Sequence, residues 1–257
     1  MEKSMADNPD SEHVPIISVK NLTVGYGDEP IIEKVSFEVL SREVFAIMGR
    51  SGCGKTTLFK AIIGLLEPEE GEVFIDGDKV LPITHGGAQP ILRKVGVLFQ
   101  SGALFSSMTL AENVAFPIRQ YTTLPESTVG QIVELKLSEV GLAGYEKLLP
   151  RELSGGMQKR AALARAMALD PKILFFDEPS TGLDPVTSWE LDQTIVKINQ
   201  ALGTTIVLVT HELGSVFRIA ARVIMIDGAE KGIIAEGRPE ELRDHNGDPR
   251  VKDFFNR

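Results

Sequence analysis

The sequence predicts an α/β fold, and three observations carry that prediction. Residues 43–48 form a short apolar strand that runs into Gly49-Arg50-Ser51-Gly52-Cys53-Gly54-Lys55-Thr56, a GxxxxGK loop closed by a threonine, and the loop opens a helical stretch. Residues 173–178, ILFFDE, read as a buried parallel strand that ends in two carboxylates. The segment between these two features changes to a helical pattern from about 101 to 168, so the sheet carries an insert.

The elements follow in order. Residues 16–24 and 31–40 alternate apolar and polar in strand fashion, which opens the chain with an antiparallel β section. A helix is expected over 56–66, ending near Glu67-Pro68, and a strand over 71–77 that ends in a turn. Residues 91–100 end in a strand, and helices are expected over roughly 109–119, 126–140 and 155–168. Strand and helix then alternate: strands over 172–176 and 205–209, helices over 186–201 and 212–220, and a hairpin over 222–236 with Asp227-Gly228 at its turn. The expected organisation is a lead over 1–15 without fixed structure, one domain over 16–240, and a C-terminal tail over 241–257.

A length of 257 residues suits one large α/β domain or two small ones. The net charge of -9 argues against a nucleic-acid partner held by phosphate neutralisation. Cys53 is the single cysteine, so no disulfide forms within the chain. No apolar run approaches the roughly 18 residues a membrane helix needs. The acidic, polar start does not read as a signal peptide.

Each motif has a chemical reason. Backbone N–H groups of the glycine loop and the helix start it opens can hold phosphate oxygens, and Lys55 reaches the β- and γ-phosphates. Gly49, Arg50, Ser51, Gly52, Cys53, Gly54, Lys55, Thr56 and Thr57 are therefore the expected nucleotide contacts, with Thr56 also offering a hydroxyl to Mg²⁺. Cys53 reads as a small permissive residue, not a redox centre. Asp177 at the strand end is placed to hold Mg²⁺, and Glu178 to take a proton from the attacking water. His211 follows the next strand at the same sheet edge and can donate to the γ-phosphate. Gln100 ends the strand before the insert and can touch Mg²⁺ or the water. Tyr26, in a Gly-Tyr-Gly stretch, can stack on adenine. Asp184, in Ser180-Thr181-Gly182-Leu183-Asp184, is read either as part of a signal across a dimer or as a helix N-cap.

With Leu153-Ser154-Gly155-Gly156 lying between the glycine loop and the Asp-Glu strand, the full series resembles the ATP-binding-cassette (ABC) family over about residues 16–240. The resemblance implies a RecA-like core with an antiparallel β subdomain and a helical subdomain at about 101–168. It also implies that Ser154, Gly155 and Gly156 of one copy close over ATP held by a second copy. Residues 99–109, FQSGALFSSMT, with 112–117, ENVAFP, and LSGGMQKRAALARA, are similar to the ATPase subunits of Mla-type phospholipid transporters. Met157 stands where most ABC proteins have glutamine. That likeness implies a membrane permease, an MCE-domain lipid-binding protein and a STAS-domain protein as partners. It also implies a peripheral place on the cytoplasmic face of the inner membrane of a double-membraned bacterium.

Other functions remain open on the sequence. The phosphate loop and LSGG serve a small-solute transporter equally well, and a non-transport ABC ATPase is a third reading. The single cassette, the lack of a heptad run and the acidic charge count against the last. Leu104 and Phe105, apolar in a loop after a strand, are expected either to receive a short permease helix or to pack under the helical insert.

Overall fold

The computed structural model describes residues 15–27, 29–85, 89–244 and 247–256. The lead expected over 1–15 lies outside the described residues, except Pro15, which opens the first strand.

Two sheets are present. The first is antiparallel and joins β1 (Pro15–Tyr26), β2 (Glu29–Leu40), β4 (Glu70–Ile75) and β5 (Asp78–Lys79) in the order β2-β1-β4-β5. The second orders β10 (Gly232–Gly237), β9 (Arg222–Asp227), β3 (Val44–Met48), β8 (Thr205–Val209), β7 (Ile173–Asp177) and β6 (Val95–Leu98). Its strands are parallel except β10, which pairs antiparallel with β9 as the closing hairpin.

Every residue of β3, β7 and β8 is buried, which is why these strands read as continuous apolar runs. Their alternation divides two cores. Phe45, Ile47, Ile173, Phe175, Val207 and Val209 face the antiparallel sheet and α1 (Lys55–Ile62). Ala46, Met48, Leu174, Phe176, Ile206 and Leu208 face the helices of the other layer. Phe45, Phe175 and Phe176 are fully buried, and burying each such side chain contributes about 1.5–3 kcal/mol.

The helical layer holds α3 (Leu110–Tyr121), α4 (Glu126–Glu139), α5 (Gly155–Ala166), α6 (Pro185–Leu202) and α7 (Leu213–Ile219). Thr109 caps α3 in a reciprocal box with Glu112, and Ser154 caps α5 by accepting from the Met157 N–H at 3.3 Å. Asp184 caps α6, accepting from the Val186 and Thr187 N–H groups. The cap alternative raised for Asp184 is thus what its side chain does within one chain.

Two sequence boundaries shift. Helix α1 stops at Ile62, not near 66, because Gly64 turns into the left-handed region at φ 75° and the N–H of Leu65 bonds back to the Lys60 carbonyl. The boundary expected at 240 falls inside a helix, α8 (Pro239–Arg243), and α9 (Pro249–Phe255) follows. Val251, Phe254 and Phe255 of α9 are buried, with Phe255 edge-on to Phe217 of α7 at 6.1 Å. Arg250 adds ion pairs to Asp227 at 3.0 Å and Glu230 at 3.2 Å on the β9–β10 turn. The segment set apart as a tail is therefore anchored on the core through Leu242, Val251, Phe254 and Phe255.

Candidate functional site

The C-terminal ends of β3, β7 and β8 converge on one cleft of about 310 Å³. It is lined by Ser51, Gly52, Gly54, Lys55, Thr56, Thr57, Gln100, Glu178, Thr181 and His211, with Ile31 as an apolar wall. Ligands of open α/β sheets bind at this edge, beyond the carboxyl ends of the strands. Gly54 sits at φ 102°, and a Cβ there would come within 2.8 Å of Ile31 and Ile32. Only glycine lets the loop turn this tightly into α1.

Lys55 is buried at 6% exposure, and its Nζ donates to the carbonyls of Gly49 at 3.0 Å and Arg50 at 3.1 Å. The loop thereby holds its own ammonium at the mouth of the phosphate cradle. Cys53 is buried beneath the loop, and desolvation pushes its thiol pKa up, as a small packing residue requires. Thr56 is exposed to the cleft, whereas Thr57 is buried.

Two carboxylates end β7. Asp177 is 7% exposed and its Oδ1 has no hydrogen-bond partner. Burial, then the neighbouring Glu178 charge, pushes its pKa up, against the pull of Lys60, Lys55 and Lys159. Glu178 takes a left-handed backbone conformation, φ 48°, which costs a non-glycine residue about 1–2 kcal/mol. Its N–H is anchored on the Val209 carbonyl at 2.8 Å. His211 Nδ1 lies 2.8 Å from Glu178 Oε2 and 2.9 Å from Oε1. A carboxylate only accepts, so Nδ1–H is the donor. In the neutral imidazole Nε2 is then an acceptor, and donation to a phosphate from Nε2 requires the imidazolium.

Of the remaining expected contacts, Gly49, Arg50 and Cys53 support the loop from behind and do not line the cleft. Tyr26 is 54% exposed at the end of β1 and lies outside the lining, on the hairpin that supplies Ile31. Ser154 and Gly155 are exposed, and neither they nor Gly156 line the cleft of their own chain. Gly155 packs against Leu183, at the entry to α6. The sequence marked Thr181 only as part of the 180–184 stretch read for a role across a dimer, and it did not mark Thr210 at all. Thr181 lines the cleft with its Oγ1 buried and unpartnered, and Thr210 Oγ1 lies 3.4 Å from Glu178 Oε2. Their positions beside the Asp-Glu pair and His211 were the available signal.

On the far side of the Gln100 loop lies an apolar groove of about 470 Å³, lined by Phe105, Phe116, Pro117, Tyr121, Leu92 and Leu169 among others. Phe105 and Phe116 are each 42% exposed, with ring centroids 5.0 Å apart and planes tilted by 58°. Asn113, fully buried, fixes this loop by accepting from the Phe105 N–H and donating to the carbonyls of Phe105, Met108 and Thr109. Leu104 instead packs on the helical core, the packing alternative expected for the pair, whereas Phe105 stays exposed.

A glycine loop on a parallel sheet, opposed by an Asp-Glu strand end, defines a phosphate-loop nucleoside triphosphatase. A family model described as ABC transporter matches residues 32–181. The chain is 46% identical over 240 residues, 93% of its length and 90% of the relative's, to the intermembrane phospholipid transport system ATP-binding protein MlaF of Haemophilus influenzae. It is 42% identical, over 93% of its length and 68% of the relative's, to the probable ribonucleotide transport ATP-binding protein mkl of Mycobacterium leprae. Its fold matches a dimeric post-hydrolysis state of the ATP-binding cassette MJ0796 bound to ADP and Pi, with TM-score 0.77, 30% identity, and coverage of 86% of this chain and 98% of that one. The chain belongs to the ABC transporter family, and it is an ATP hydrolase of the transport-coupled type.

Proposed function

We propose that this chain is the ATP-hydrolysing subunit of a transporter that moves phospholipid between the two membranes of a double-membraned bacterium. The likeness to MlaF over nearly the whole chain supports this cargo. Its place is the cytoplasmic face of the inner membrane, held there by a permease. Among the described residues no helix is long and apolar enough to cross a membrane. An MCE-domain lipid-binding protein and a STAS-domain protein complete the proposed assembly.

The observation that carries the motor reading is the separation of Ser154–Gly156 from the cleft of their own chain. A second copy brings its Ser154, Gly155 and Gly156 over the phosphates held by Lys55 and residues 49–57, so that ATP bridges two chains. Tyr26 stacks on adenine. Glu178 takes a proton from the attacking water, with His211 and Thr210 orienting its carboxylate. Gln100 touches that water and senses the phosphate.

Mg²⁺ fits the residues present. Asp177 Oδ1 is a buried acceptor with no partner, and Thr56 and Gln100 offer neutral oxygens at the cleft. Among the described residues there is no group of three or more His, Cys, Asp or Glu that could hold a metal. This suits Mg²⁺, which binds through one or two carboxylates plus substrate phosphates. When bound, it neutralises charge that develops on the phosphates.

The permease contact is the Phe105–Phe116 groove, which receives a short cytoplasmic helix. Phe105→Asp is expected to lower transport-coupled ATPase of the assembled complex by about tenfold while leaving the free chain near wild type. Equal losses in both would return Phe105 to a packing role. For cargo, liposomes carrying the complex are expected to transfer labelled phospholipid with MgATP, and to lose this with Glu178→Gln. Vesicles that move a ribonucleotide or sugar instead, and no phospholipid, would overturn the cargo and leave the ATPase standing.

A further inference from the structure

Lys159 lies on α5, five residues beyond the Ser154 cap, and is only 8% exposed. Its Nζ donates to the carbonyl oxygen of Gln100. Among the described residues no carboxylate forms an ion pair with it. Asp177 attracts this ammonium and offsets part of its desolvation, but the group it touches directly is a neutral carbonyl, and burying a cation on such a partner is costly. Further along the same helix Arg165 repeats the arrangement. Its guanidinium donates to the carbonyls of Gly102 at 3.1 Å and Ala103 at 2.7 Å, again without a carboxylate among the described residues. One helix thus holds the 100–103 loop at three backbone carbonyls.

The ends of this connection matter. Gln100 lines the nucleotide cleft, and Phe105, just past the gripped carbonyls, lines the apolar groove. The other end of α5 is Ser154. Gly102 takes φ 74° at no cost, but Ala103 at φ 51° is held in a left-handed conformation that a non-glycine residue does not favour. Beyond its attraction to Asp177, the direct contact of this buried cation is the Gln100 carbonyl, so it fixes the loop to the helix.

We propose that Lys159 is a positioning residue for hydrolysis: it ties the Gln100 backbone to α5, so that the Gln100 side chain enters one nucleotide site in register with the Ser154 that closes the other. This rests on the reading of Gln100 given under Proposed function. Its effect passes through Gln100, so it belongs to turnover and not to nucleotide affinity.

The test compares Lys159→Met, Lys159→Arg, Gln100→Ala and the Lys159→Met/Gln100→Ala double variant in the dimerising chain, reading kcat and KM for ATP. Lys159→Met is expected to lose about tenfold or more in kcat, with KM within about twofold of wild type. Lys159→Arg should restore most of kcat, since it keeps a donor, and the double variant should be no slower than Gln100→Ala. Met fills the lysine's space without its charge, so the melting temperature of Lys159→Met should not fall. A Lys159→Met enzyme with wild-type kcat beside an impaired Gln100→Ala would overturn the proposal alone. So would multiplicative losses in the double variant, or a loss of kcat that tracks a lowered melting temperature. Wild-type turnover in Gln100→Ala would remove the reading of Gln100, and the proposal with it.

Discussion

Glu178→Gln is expected to bind MgATP, close as a dimer and stop. Among the described residues Glu178, just past β7, is the only acid that lines the cleft, and its pairing with His211 at 2.8 Å aims it there. Glutamine keeps the size and an acceptor oxygen for the His211 Nδ1–H, so the local fold survives. What is lost is the proton acceptor, and general-base losses run to about 10²–10⁴-fold in rate. Steady-state ATPase should fall into that range, while light scattering with MgATP should show a long-lived dimer that the wild type forms only transiently. Turnover near wild type would assign the base to another group.

Lys55→Ala carries the second large effect. The ammonium, 6% exposed and bound to the Gly49 and Arg50 carbonyls, is held ready for phosphate oxygens. Removing a charge-assisted bond of this kind costs about 1.5–3 kcal/mol, or roughly ten- to a hundredfold in nucleotide affinity. Hydrolysis should fall to background, because the same charge stabilises the transferring phosphoryl group. Lys55 also braces the loop, so the melting temperature without nucleotide separates the two roles. A variant as stable as wild type with lost turnover supports phosphate contact. Retained turnover would contradict it.

The main lines of fold and site were legible because they are local in sequence. The glycine loop follows its strand directly, and β7 runs straight into Asp177 and Glu178. Continuous apolar runs marked the doubly covered strands β3, β7 and β8. What escaped was set by distance along the chain or by backbone conformation. Gly64 ended α1 early although the apolar pattern ran on to Leu66. The spacing of Val251, Phe254 and Phe255 on α9 was readable, but the charges around it disguised a packed helix as a tail. The left-handed turn of Glu178 and the tie of Nδ1 of His211 to its carboxylate depend on two strand ends meeting. Lys159 and Arg165 reach carbonyls about sixty positions earlier, and no motif spacing announces that contact.

The central claim is that each ATP site is shared between two chains. It is tested most directly by a mixed dimer in which one chain carries Ser154→Arg and the other Lys55→Ala. If sites are shared, this dimer keeps one intact site, the unaltered phosphate loop of the first chain facing the unaltered Ser154 of the second. Its other site carries both lesions, and each homodimer of a single variant has no intact site. Single-turnover cleavage with purified mixed dimer in excess over ATP should therefore yield ADP at a rate that neither homodimer approaches. Cleavage by the mixed dimer no faster than by the two homodimers would contradict the shared site, because it would mean that both lesions act within their own chain.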